Sequence, residues 1–113
     1  MFRGSFRGGG GGSGVVSVVS IDSTDSPYSL PLSSTVLAVD SSAGVVNVNL
    51  PAASSSEGII YYVKNTAGAT SNRVRVLVSS GTIDGDGETQ VDLENDKSSV
   101  TLVSDGSNYL IIG

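Results

Sequence analysis

From Val15 to the end of the chain, apolar residues recur at every second position in short runs, and no run keeps the spacing of a helix. A period of two places alternate side chains on opposite faces of an extended chain. The clearest case is VVNVNL at 45–50, where Val46, Val48 and Leu50 share one side and Asn47 and Asn49 the other. RVRVLVS at 73–79 repeats the pattern, with Val74, Val76 and Val78 inward and Arg73 and Arg75 outward. TVLAVD at 35–40, TQVDL at 89–93 and SSVTLVS at 98–104 read as further strands. IIYYVK at 59–64 is apolar on both faces, as expected of a central strand. VVSVVSI at 15–21 leads the series and YLII at 109–112 closes it. Sixteen valines supply most of the apolar surface, and β-branched side chains suit a pleated sheet better than a helix.

The breaks between runs are turn chemistry. Pro27 and Pro31 bracket an extended piece holding Tyr28 and Leu30, and Pro51 ends the strand before it. Residues 52–58 form a loop with room for one helical turn. Gly85 and Gly87 punctuate a bend, and DGSN at 105–108 forms a tight hairpin. About eight or nine short strands with turn signals every 8–12 residues point to an all-β domain. The expected fold is a small antiparallel β-sandwich or barrel, jelly-roll-like. No repeat of 20–50 residues is visible, which reads as one module rather than a solenoid.

Residues 1–14 differ in kind: seven of the fourteen are glycine. Ordering so much glycine costs backbone entropy, so the segment reads as a flexible arm. The division is therefore an arm at 1–14, a leading strand and linker at 15–27, and a β-domain at 28–113. Phe-Arg-Gly occurs twice in the arm. Phe2, Arg3, Phe6 and Arg7 make it a candidate docking tether, because aromatic and arginine side chains anchor interfaces. A tail with no docking role fits equally well. The G-x-G-x-x-G match at 9–14 lacks the strand before and the helix after that a dinucleotide site needs.

Chemistry is scarce. There is no cysteine and no histidine, so thiolate metal sites, disulfides and the commonest general base are excluded. The net charge of −5 disfavours nucleic acid and anionic membranes as partners. No apolar run is long enough for a membrane helix, and the N-terminus has no apolar signal core. Asp84, Asp86 and Glu88 form a glycine-spaced acidic cluster. Calcium would be its ligand, but the spacing falls short of an EF-hand, and a solvated hairpin tip fits better. Lys97 beside Ser98 is a poor dyad, since strand neighbours point to opposite faces. We expect no catalytic residues and no cofactor. A domain of about one hundred residues is marginally stable alone, so self-association is expected, with Tyr61, Tyr62, Arg73 and Arg75 as candidate interface residues.

Four segments carry a resemblance when taken in order: VLAVDSSAGVVNVNLPAA at 36–53, IIYYVKNTAG at 59–68, TIDGDGETQVDL at 82–93 and SVTLVSDGSNYLIIG at 99–113. The string from Tyr28 to Gly113 resembles a β-module of tailed-bacteriophage virion proteins, namely tail fibres, head fibres and decoration proteins. The likeness spans about three quarters of the chain. It implies a homotrimeric, non-enzymatic structural module located in the virion, with the arm docked on a capsid, neck or tail protein. It also implies that Asp84 and Gly85 serve a bend. The sequence departs from long fibres in having one module, with neither an extended shaft nor a C-terminal receptor-binding domain. That favours an accessory or decoration role. The alternative is a receptor- or glycan-binding fibre tip that uses Tyr61, Tyr62 or Tyr109.

Overall fold

The computed structural model describes residues 16–68, 72–84, 87–95 and 97–113. The arm, with Phe2, Arg3, Phe6 and Arg7, lies outside the described residues. Nine strands form: β1 (Ser17–Asp22), β2 (Tyr28–Ser29), β3 (Thr35–Asp40), β4 (Val46–Leu50), β5 (Ile60–Asn65), β6 (Val74–Val78), β7 (Gln90–Leu93), β8 (Ser99–Ser104) and β9 (Tyr109–Ile111). They build a five-stranded sheet in the order β1-β3-β5-β8-β9 and a four-stranded sheet in the order β2-β4-β6-β7. Two 3-10 turns, Ser23–Asp25 and Ala53–Ser55, are the helical segments among the described residues. The helical turn expected within 52–58 is the second of these.

The all-β expectation holds, but the antiparallel one does not. β1–β3, β3–β5, β2–β4 and β4–β6 pair parallel, while β5–β8, β6–β7 and β8–β9 pair antiparallel. The reason is connectivity. From β1 to β6 successive strands alternate between the two sheets, so the chain comes back to each sheet running in the same direction as before. Parallel neighbours need a long crossover, commonly a helix; here a strand of the other sheet supplies it. The first return pairs Ser17 with Thr35 and Tyr28 with Val48. The second pairs Thr35 with Tyr61 and Val46 with Val74. These are two successive windings, which the expectation of a non-repeating module did not include. The second is lengthened by the loop over 51–58, and this hides the period in the sequence.

Alternation decides what is buried. Leu37, Val39, Tyr61, Val63, Val100 and Leu102 from the five-stranded sheet join Val46, Val48, Val74, Val76 and Leu93 from the other in one apolar cluster. Rows run straight across the strands: Val19, Leu37, Val63 and Val100 stand opposite one another in sequence, as do Tyr28, Val48, Val76 and Val91. Tyr61 and Tyr109 are the largest buried side chains, with ring centroids 6.3 Å apart. The Tyr61 hydroxyl donates to the Pro31 carbonyl, and the Tyr109 hydroxyl lies 2.9 Å from the Pro51 carbonyl and 2.7 Å from Ser56 Oγ. Two prolines that end strands thus also present free carbonyls to buried phenols.

Buried polar groups fasten the loops. Ser41 Oγ lies 2.9 Å from Asn65 Oδ1 and accepts from the Asn72 N–H at 3.1 Å. Asn65 Oδ1 also accepts from the Ala67 N–H. This node ties the ends of β3 and β5 to the start of β6. At the opposite end, Ser104 Oγ donates to the Ala53 carbonyl at 2.6 Å, pinning the second 3-10 turn to β8. Asp22 opens the first 3-10 turn through a capping box, accepting from the Thr24 N–H while its own N–H donates to Asp25. Asp105 organises the DGSN hairpin by accepting from the Asn108 and Ser107 N–H groups, which hold its carboxyl below the usual carboxylate range. Gly81 (φ +100°) is required where the chain passes Ser107, since a Cβ there would sit 2.8 Å from its carbonyl oxygen.

Leu37→Ala removes a fully buried side chain at the centre of this cluster. Denaturant unfolding is expected to show a loss of about 2–5 kcal/mol. A second prediction concerns alkaline pH. Burial, with a smaller contribution from Tyr109, pushes the Tyr61 phenol from 10.0 up to about 12. The unfolded chain releases this proton near the lower value and the folded chain only near the higher. Its contribution is therefore complete below pH 10.0 and lost as pH rises toward about 12. Stability measured across that window is expected to fall with pH, and to fall less steeply in Tyr61→Phe.

Candidate interaction surface

The two sheets turn very different outer faces to solvent. On the four-stranded sheet, Asn47, Arg75 and Asp92 stand in one row, and Ser29, Asn49, Leu77 and Gln90 in the next. Arg75 Nε donates to Asp92 Oδ1 at 3.1 Å, while Arg73 lies 3.7 Å from Asp92 and 3.5 Å from Glu94. This face is polar and its charges are matched within the chain. Arg73 and Arg75 therefore meet carboxylates of β7 and its flank.

The outer face of the five-stranded sheet is apolar. One row runs Val18, Val36, Tyr62, Thr101, and the β8–β9 register carries it on to Ile112, whose N–H donates to the Thr101 carbonyl. A second runs Ile60, Val103, Leu110. A third, Ser20, Ala38, Lys64, Ser99, brings in the first charge, and Asp22 stands beside Asp40 at the far end. Val18 is 71% exposed, Ile112 56% and Leu110 40%. The Lys64 ammonium is drawn to the rim, donating to the Lys97 carbonyl at 2.7 Å. The eight positions of the first two rows, with strands about 4.8 Å apart and rows about 6.7 Å apart, make roughly 260 Å² in projection. That is close to the lower end of the largest apolar patches on monomers, which are often functional.

The residues expected at an interface do not share a surface. Tyr62 lies on the apolar outer face, while Arg73 and Arg75 belong to the other sheet. Tyr61 is a correction: its side chain is wholly buried inside the chain. Its register places it opposite Thr35 and Leu102, both inward, whereas its neighbour Tyr62 alternates outward. IIYYVK did signal apolarity on both faces of β5. What the sequence could not supply was the set of neighbours, Val18, Val36, Val103 and Leu110, that makes the outer side one surface.

Tyr109 is buried as well, so of the three tyrosines considered for a glycan platform only Tyr62 reaches solvent. Asp84 sits at φ 57° and its carboxylate accepts from the Ile111 N–H at 2.9 Å, which commits it to the bend and to β9. Asp86 lies outside the described residues. Among those described, no three acidic side chains gather as a metal group. The Lys97 ammonium donates to the Thr66 carbonyl, while the Ser98 hydroxyl donates to that of Asn95, so the two head groups serve different loops. A groove of about 600 Å³ at the end of the four-stranded sheet is lined by Leu30, Leu50, Pro51, Leu77 and Val78 among others, with no ionisable side chain.

Compared with protein-family models, curated proteins and solved structures, the chain matches none.

The polar face is solvent-facing surface, and its ion pairs are partly exposed. Arg75→Gln is expected to change unfolding free energy by less than about 1 kcal/mol and to leave the mass in solution unaltered.

Proposed function

We propose that this chain is a non-enzymatic structural module of a tailed-phage virion, a short accessory fibre or decoration piece. The single observation that carries the self-association part is the contrast between the two outer faces. One sheet matches its charges within the chain; the other leaves two apolar rows, from Val18 to Ile112 and from Ile60 to Leu110, open to solvent. Apolar surface of this extent is removed from water by association. The outer face of the five-stranded sheet is the contact through which copies meet, and a trimer is the stoichiometry the resemblance implies. The two sheets form a sandwich, and Phe2, Arg3, Phe6 and Arg7 dock the arm on a larger capsid, neck or tail protein. The virion assignment rests on the ordered strings quoted above, not on the face.

Leu110→Lys places a charge at the half-exposed edge of the face, where its ammonium reaches water in the free chain. Light scattering is expected to show an assembly for the unaltered protein and a mass at least twofold lower for Leu110→Lys, with an unchanged circular dichroism spectrum. A mass that stays constant in the variant would remove the face from the contact. Immuno-electron microscopy of assembled particles that finds none of the chain would remove the virion assignment.

A further inference from the structure

Two sheets have four edges, and an open edge is a template for pairing with another chain. Three of the four are defended. At β9, the Tyr109 N–H donates to the Thr82 carbonyl at 2.8 Å, the Asp84 N–H donates to the Tyr109 carbonyl at 2.7 Å, and the Ile111 N–H donates to Asp84 Oδ1 at 2.9 Å. The segment Thr82–Asp84 thereby occupies that edge. β2 is two residues long and bracketed by Pro27 and Pro31. β7 carries Asp92 within it and Glu94 just beyond it, in reach of Arg73. β1 has none of these devices. It is six residues long and contains Val18, Val19 and Ile21, without proline or a basic residue. Its one charge is Asp22 at the last position. Among the described residues only β3 pairs with it.

We propose that β1 is the site where a second copy of this chain adds edge to edge, antiparallel, about a two-fold axis at Val19. Three observations select that arrangement. Head-to-tail addition of β1 to the β9 of another copy is blocked, because Thr82–Asp84 already takes the backbone groups of β9. Parallel addition of β1 to β1 sets Asp22 beside its equivalent, next to Asp40, and like charges directly opposite are unfavourable. Antiparallel addition sends the two Asp22 side chains to opposite ends. A one-residue slip would exchange the faces, so the inner face must continue as the inner face. Of the registers that do this, one sets Val19 opposite Val19, Val18 opposite Ser20 and Ser17 opposite Ile21, and leaves Asp22 outside the paired stretch. Val19 is half-buried against the core and would meet its equivalent there.

The product is a closed pair with a ten-stranded sheet, both β1 edges consumed and both β9 edges capped, so addition stops at two along this direction. The apolar outer faces of the two copies then lie on the same side of the sheet, offset along the strands, with the Val18 row of each meeting the Ser20 row of the other across the axis. This doubles a face that alone offers about 260 Å² in projection, against about 800 Å² per partner in a standard interface. The edge contact uses a different surface from the apolar face and stands whether or not that face associates.

The chain has no cysteine, so a single Val19→Cys is a clean probe. Directly opposed antiparallel residues have Cα atoms about 4.5–5.5 Å apart, within disulfide range. Mild oxidation is expected to link Val19→Cys into covalent dimers. Sedimentation of the unaltered protein is expected to give the mass of two chains or an even multiple. Ser20→Lys, at an exposed position of β1, is expected to halve that mass while thermal melting and the dichroism spectrum stay the same. A mass of one or three chains, or a Ser20→Lys variant that keeps its mass while Val19→Cys stays unlinked, overturns the proposal. If Leu110→Lys lowers the mass and Ser20→Lys does not, the edge fails and the face stands. The reverse result sinks the face and leaves the edge.

Discussion

Each strand from β1 to β6 lies in the opposite sheet from the one before it, and the remainder of the architecture follows from that switching. It forces parallel neighbours within each sheet, because every return comes from the same side. It also makes burial cooperative. A valine row in one sheet has no apolar partner until the next strand has laid the facing row, so Val46, Val48 and Leu50 depend on Leu37 and Val39 before them and on Tyr61 and Val63 after them. Contacts of this kind join residues far apart in the chain, which favours slow, all-or-none assembly over local nucleation.

Polar fastening is placed where switching is hardest to hold. A chain leaving one sheet for the other exposes backbone groups at the corner, and unpaired groups there are costly when buried. At one end of the windings Ser41, Asn65 and Asn72 close those corners; at the other, Ser56, Ser104 and Tyr109 do so against Pro51, Ala52 and Ala53. The serine abundance that reads in sequence as turn propensity has this second use in three dimensions.

Much of the local structure was legible. TVLAVD at 35–40 is β3 residue for residue, and the inward sets Val46, Val48, Leu50 and Val74, Val76, Val78 are buried. DGSN closes the β8–β9 hairpin, as its turn chemistry requires. Direction and sheet membership were not legible, because a period of two fixes which face a side chain takes but not which strand lies beside it. Tyr61 shows the limit most sharply. Adjacent tyrosines in a doubly apolar run are equivalent by composition, and only the register with Thr35 and Leu102 sends one inside and the other out. The apolar outer face is hidden in the sequence for the same reason: it is assembled from five strands that are each unremarkable alone, and Val18 and Leu110 are separated by most of the chain.

The winding carries one more consequence. Nothing in β1 to β6 marks a last turn. The reversal into β7 and β8 ends the series, and Thr82–Asp84 seals the far border of the larger sheet. A relative of this chain with one additional circuit before that reversal would keep every existing register and simply grow broader by a single interstrand distance per sheet, about 4.8 Å. The breadth of such a block is thus adjustable in discrete increments, by inserting sequence at one point, with the corners and the sealing segment reused unchanged.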